Sequence, residues 1–345
     1  MTNENPPYPK VPVDVSLRST TETVVWGHIP ANTPPVLRIS SGQTVRIDTV
    51  SHQGLMQQDP VAYFGKSGIP EDRVLQDAID IFRRARRPEG ASVHILTGPI
   101  HVADAQPGDM LEVRVLAMEF RVPYGVNATG RGSGVLPDLL QQSTPRIIML
   151  DLERGVALFS SETEIPLAPF MGIMAVAPPQ GFAFTSSKPP GRWGGNIDLK
   201  QLTTGATLYL PVFNTGALFY TGDGHAAQGD GEIDGTAIET SLTPTLQFIV
   251  RKGAGALMKW PRAEDSRHHF LMGMDPDLDT AMRHAVQESV NYLRHEAGLS
   301  AADAYALASV GVDFRIGEAV NDVKMVYAMI PKRLFKRTPQ YWYKS

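Results

Sequence analysis

Apolar and polar residues alternate with a period of two through much of the first 250 residues. Leu111, Val113, Val115 and Ala117 take turns with Glu112, Arg114 and Leu116, which predicts a strand over Met110–Phe120 with one face buried. Shorter runs predict strands at Thr23–Trp26, Val36–Ile39 and Gln43–Val50, and Arg146–Asp151 with Gly155–Phe159 reads as a hairpin. Thr207–Val212, Ala217–Tyr220 and Leu242–Val250 continue the series. Between them, Val74, Ala78, Ile81, Phe82 and Ala85 recur at spacings of three and four, so Pro70–Arg87 reads as a helix. The period changes near residue 278. Leu278, Ala281, Met282, Ala285, Val286, Ser289, Val290 and Leu293 form one helical stripe, and Ser300 with Asp303 has the spacing of an N-cap opening a second helix. Val323–Ile330 alternates as a last strand, and residues 1–22 read as an arm without core periodicity.

These patterns predict a β-rich α+β fold with a C-terminal helical pair at about 278–310. The 345 residues read as one compact unit, divisible into a β-rich 1–160 and a 161–345 portion that adds the helices. Glycine (31) and proline (27) are frequent, which suits shaped loops between short strands. The charge balance of −4 has no long run of one sign and gives no reason to expect nucleic acid. No stretch approaches the length of a membrane span, and Met1–Lys10 lacks the apolar segment of a signal peptide, so a cytoplasmic protein is expected. The proline-rich start and the apolar middle third point to a homo-oligomer, most simply a two-fold dimer. Cysteine is absent, which excludes disulfides, a thiolate nucleophile and a cysteine zinc site.

Chemistry-bearing residues concentrate at 221–232, where Asp223, His225, Asp230 and Glu232 are separated by Gly222, Gly224, Gly229 and Gly231. This stretch reads as a polar loop between the strand-like runs Ala217–Tyr220 and Gly235–Glu239. Composition alone also allows a solvated hairpin or a structural calcium loop, and with it a non-catalytic β-sandwich that binds calcium or a small molecule.

The longer pattern resembles the acetamidase/formamidase family. The resemblance runs over most of the chain. It is carried by Leu96-Thr-Gly-Pro-Ile100 with Ala105–Asp109, Ile165–Pro169 with Gly172–Pro178, Gly194-Gly-Asn-Ile-Asp198, Leu210–Val212 with Gly216–Phe219, and above all Gly222–Glu232. It implies an acetamidase/formamidase-like β-rich fold, with a sandwich- or barrel-like core, and hydrolysis of a small linear amide such as formamide or acetamide to a carboxylate and ammonia. A relative acting on something larger than acetamide is the second possibility.

Amide hydrolysis needs a nucleophile, stabilisation of the oxyanion and a proton for the leaving nitrogen. With no cysteine and no Gly-x-Ser-x-Gly elbow, a water activated by a divalent metal is the expected nucleophile, zinc first and calcium second. Asp223, His225 and His94 are the expected metal ligands. Glu232 is the expected general base, and Asn196 is expected to orient the amide. Asp48, His52, His101 and Asp198 are expected to bind substrate or support the ligands.

Overall fold

The structure is a computed structural model that describes residues 11–336 except 183 and 257. The first ten residues of the expected arm lie outside the described residues. The rest of that arm is not free. Val15–Leu17 adds a parallel strand to Thr44–Ile47, with Leu17 turned into the core.

Two open sheets carry the fold, and neither closes into a barrel. The first has nine strands among the described residues. Met110–Phe120 and Leu242–Arg251 lie at its centre, and Lys324–Pro331 and Asp313–Glu318 form its far side. The alternation in Met110–Phe120 is realised as expected: Leu111, Val113 and Val115 are fully buried. Glu112 is buried as well, held by Arg114 at 2.7 Å and Arg251 at 2.6 Å. The second sheet runs from Glu164–Pro166 through Val156–Leu158, Thr144–Asp151, Tyr124–Thr129, Glu239–Thr240, Phe219–His225 and Phe170–Val176 to Gly194–Asn196 and Pro190–Gly191. Ile95–Val102 joins it on Phe219–His225. Both sheets take strands from before and after residue 160.

Val45, Val113, Leu208 and Phe248 of the first sheet share one core with Ile100, Met174, Val176 and Phe219 of the second, which makes the fold a sandwich. Each such large apolar side chain contributes roughly 1.5–3 kcal/mol on leaving water.

The helical pair falls where the stripe predicts it, at Leu278–Glu296 and Ala301–Gly311. Asp277 caps the first helix by accepting from the Thr280 amide, and Ser300 caps the second by accepting from that of Asp303. Leu293, Ala304 and Ala308 pack on Leu271, Ala328 and Ile330 of the first sheet.

The helix expected over Pro70–Arg87 is shorter. Glu71–Arg73 is a 3₁₀ turn, Val74 and Leu75 are extended, and the α-helix spans Gln76–Arg84. Extended Ala85 ends it before Arg86 and Arg87. Pro60–Gly65 is a helix without an apolar stripe long enough to predict; it is set by Asp59 as N-cap and Pro60 in the first turn. No helix among the described residues is long and apolar enough to cross a membrane.

Candidate active site

The stretch 221–232 is only partly the loop its glycines suggest. Phe219–His225 is a fully buried strand, and the chain leaves it after His225. Gly222 and Gly224 serve close packing here: a Cβ on Gly222 would lie 2.2 Å from the Ile95 carbonyl oxygen, and one on Gly224 would lie 2.7 Å from that of Thr240. Asp223 between them has φ +61°, a conformation foreign to a regular strand.

Four neighbouring segments bring side chains to this strand. Leu96 pairs with Gly222, so His94 arrives just outside that register. Glu239 pairs directly with His225. Phe170–Val176 flanks the other edge, pairing Met171 with Gly224 and Ile173 with Gly222, so that Gly172 faces the irregular Asp223. Asn196 pairs with Ile173, and the Asp198 amide donates to the Gly172 carbonyl at 3.2 Å.

The result is a buried cluster of carboxylates and imidazoles. His225 Nε2 lies 3.3 Å from both Asp223 Oδ2 and Glu239 Oε1. His52 Nδ1 is 3.5 Å from Asp223 Oδ1, and His94 Nε2 is 3.9 Å from Asp223 Oδ2. Three overlapping trios hold ligand atoms within 4.8 Å of one another: His52, His94 and Asp223; Asp223, His225 and Glu239; Asp198, His225 and Glu232.

Gly172 forms the floor. A Cβ there would be 2.7 Å from Asp198 Oδ1, 2.7 Å from Asp223 Oδ2 and 2.8 Å from His225 Cε1. Two supports set ring orientation. His225 Nδ1 donates to Gln228 Oε1 at 2.9 Å, while Gln228 Nε2 donates to the Asp198 carbonyl, so Nε2 of His225 turns toward the carboxylates. His94 Nδ1 is held by Ser187 Oγ at 2.9 Å, which turns its Nε2 toward Asp223.

Burial makes these charges interact strongly. It pushes the Asp198 carboxyl well up, and it raises Glu239 despite His225 beside it. Glu232 is also pushed well up, by burial and then by Asp198. Asp223 goes the other way: burial alone would raise it, but His94 and His225 hold it well below the usual carboxylate range. Burial lowers the His94 imidazole to about 4. His225 is raised against its burial by Glu239 and Asp223.

The donor set fits a divalent cation. Both Asp198 oxygens, Asp223 Oδ1, Glu239 Oε2, His52 Nδ1 and His225 Nε2 are buried without a hydrogen-bond partner. Buried carboxylates left unpaired are expensive, and a cation among them removes that cost. Nitrogen and oxygen ligands without sulfur suit zinc and its neighbours among the divalent metals.

Of the residues singled out from sequence, the structure brings together Asp223, His225, His94, His52, Asp198 and Glu232, and it buries Asn196 on the adjoining strand with its Oδ1 unpartnered. Asp48 and His101 belong to none of these trios. Asp48 accepts from Thr243 at 2.8 Å and faces Arg46, while the His101 ring lies over Gly216. Sequence reasoning missed Glu239, Gln228 and Ser187. Glu239 closes an apolar run, and its pairing with His225 exists only in the folded sheet.

A β-sandwich with a buried nitrogen–oxygen donor centre on one sheet is thus the class that fold and site define. The chain belongs to the Acetamidase/Formamidase family, which residues 76–188 and 183–337 match. It is 30% identical over 203 residues to an acetamidase from Mycolicibacterium smegmatis, covering 42% of this chain and 50% of that protein. It is 27% identical over 197 residues to a formamidase from Methylophilus methylotrophus, covering 41% and 47%. The chain spans about half the length of these curated relatives. The solved acetamidase from Bacillus halodurans superposes with a TM-score of 0.76 at 27% identity, over 93% of this chain and 99% of that one.

Proposed function

We propose that the protein is an amidase that hydrolyses a linear carbon–nitrogen amide bond to a carboxylate and ammonia. The observation that carries this reading is the buried cluster over Gly172, where Asp223 and His225 present unpartnered ligand atoms beside Glu232. Family membership and the names of the relatives support it. Every trio in the cluster contains an imidazole, whereas calcium prefers shells of oxygen alone, which favours an enzyme centre over a calcium loop.

Asp223 and His225 would hold a divalent cation, zinc for preference, with His94 beside Asp223 as the third ligand and His52 and Glu239 in reach. When bound, such an ion polarises the amide carbonyl and acidifies water. The protein's own groups do the rest. Glu232 is buried within reach of Asp198 and His225, so its carboxylate is placed to take a proton from the attacking water and pass it to the departing nitrogen. The new C–O bond forms as the C–N bond breaks, and that proton completes ammonia. Asn196 Oδ1, buried and unpartnered, can accept from the substrate's amide N–H and fix its orientation. Asp198 and Gln228 hold the surrounding backbone and the His225 ring in place.

An ammonia-release screen over linear amides, run with and without chelator, tests the reading. Release that chelation abolishes and added metal restores is expected; no release from any amide by metal-replete protein overturns it. The same reading keeps a two-fold homo-oligomer as the expected assembly, and light scattering showing a monomer at micromolar concentration counts against it.

A further inference from the structure

Beside the cluster, the surface opens into a half-open cleft of about 340 Å³. Gln228 and Glu232 line it, and its walls are mostly apolar, with Ile148, Phe159, Ile165 and Ile233 prominent. Glu232 connects cleft and centre. It is only 7% exposed, and it lies within 4.8 Å of ligand atoms on Asp198 and His225. The carboxylates near the rim are already occupied: Asp234 accepts from Asn127 at 2.9 Å, and Asp230 from the Tyr327 hydroxyl at 3.1 Å. Two large apolar side chains face the opening in spite of water, Phe159 at 37% and Ile233 at 68% exposure. Formamide and acetamide have no chain to lay against such walls.

We propose that this cleft is the acyl pocket, and that the protein's preferred substrates are primary amides with an uncharged apolar acyl group of about six carbons rather than formyl or acetyl. The proposal rests on the amidase reading. Size supports it, since an apolar cavity of about 150 Å³ suffices for benzene and this cleft is roughly twice that.

The test compares formamide, acetamide, hexanamide and cyclohexanecarboxamide as substrates of the metal-replete protein and of two variants, Ile233→Asp and Phe159→Ser. Both positions are exposed, so the fold should survive, and circular dichroism checks that it does. Binding of hexanamide is followed separately by saturation-transfer NMR, which needs no turnover. Hexanamide is expected to exceed acetamide in kcat/KM by at least about tenfold, because even one methylene in an apolar pocket is worth roughly 10–200-fold. Both variants should pull that ratio toward one and weaken the NMR signal. If the short amides are hydrolysed and hexanamide is no better, the acyl-pocket assignment fails while the amidase reading stands. If no amide is hydrolysed yet hexanamide binds and Ile233→Asp removes the binding, the amidase reading fails and the cleft remains an apolar-ligand site. Hexanamide binding that neither variant alters overturns the assignment. So does an Ile233→Asp protein that loses an oligomer while keeping its amide preference, since the cleft would then be a subunit contact.

Discussion

Replacing Gly172 by alanine asks the most direct question of the site. The residue has an ordinary backbone conformation, so alanine is permitted locally. The added Cβ would stand 2.7 Å from Asp198 Oδ1 and Asp223 Oδ2 and 2.8 Å from His225 Cε1, where ordinary contact begins at 3.4 Å. Each group must therefore retreat by about 0.6–0.7 Å, and Asp198 must do so on a different segment from Asp223 and His225, which share one strand. The Gly172 carbonyl accepts from the amides of Ile197 and Asp198, so the strand cannot simply withdraw. A misplacement of about 1 Å can lower turnover by about 10²-fold, and a shift of this size should reduce kcat/KM by about ten- to a hundredfold. Bound metal, measured by mass spectrometry after dialysis, should fall in parallel. Gly65→Ala is the control, since a Cβ there meets nothing within 4 Å; it should leave turnover and metal content unchanged. A Gly172→Ala protein that melts like wild type and keeps its metal and its turnover within twofold would refute the convergence of Asp198, Asp223 and His225 on one functional point.

Two further predictions concern the cluster and one concerns stability. His225→Ala should lose both metal and turnover; if it retains both, the ligand assignment is wrong. Glu232→Gln preserves shape but removes the base, so it should keep metal while losing about 10²-fold or more in turnover; near-full turnover would exclude Glu232 as the base. Away from the site, Glu264 is held at about 2 by His269, Lys332 and Tyr209 although burial alone would raise it from its ordinary 4.5. Because its folded value is depressed, its contribution is present above pH 4.5 and is lost as pH falls toward 2, on the order of 3 kcal/mol. Glu264→Gln should lower the melting temperature at pH 7 and flatten the acid decline; melts whose decline over pH 4.5–2 parallels wild type would contradict this.

The fold was legible where one periodicity held over many residues. Alternation in Met110–Phe120 and the stripe beginning at Leu278 correspond to elements whose burial follows those positions. It was less legible where local signals conflict with pairing. The apolar and basic residues of Pro70–Arg87 suggest one helix, yet Val74 and Leu75 extend the chain so that Val74 can join Phe64 and Tyr124 in a small core. Val15–Leu17 is too short to signal a strand alone, and it exists because Thr44–Ile47 offers a parallel edge.

The site shows the same division for a chemical reason. Residue types that bind cations stand out in a sequence, so Asp223, His225, His94 and Glu232 could be named before the fold was known. Their neighbours could not be, because sheet register decides which polar residues become neighbours. Glu239 lies fourteen residues beyond His225 and faces it only through the pairing of Glu239–Thr240 with Phe219–His225. His52 and Asp48 lie on one short stretch, yet His52 reaches Asp223 while Asp48 is taken by Thr243. The glycines misled for a related reason. In Gly222-Asp-Gly-His225 they allow neighbouring backbones to close on the strand, leaving Asp223 and His225 no solvent-facing alternative. A loop could have let those charges turn toward water. A strand buried on every side cannot, so those charges must be neutralised where they stand, by one another as Asp223 and His225 do at 3.3 Å, or by a bound cation.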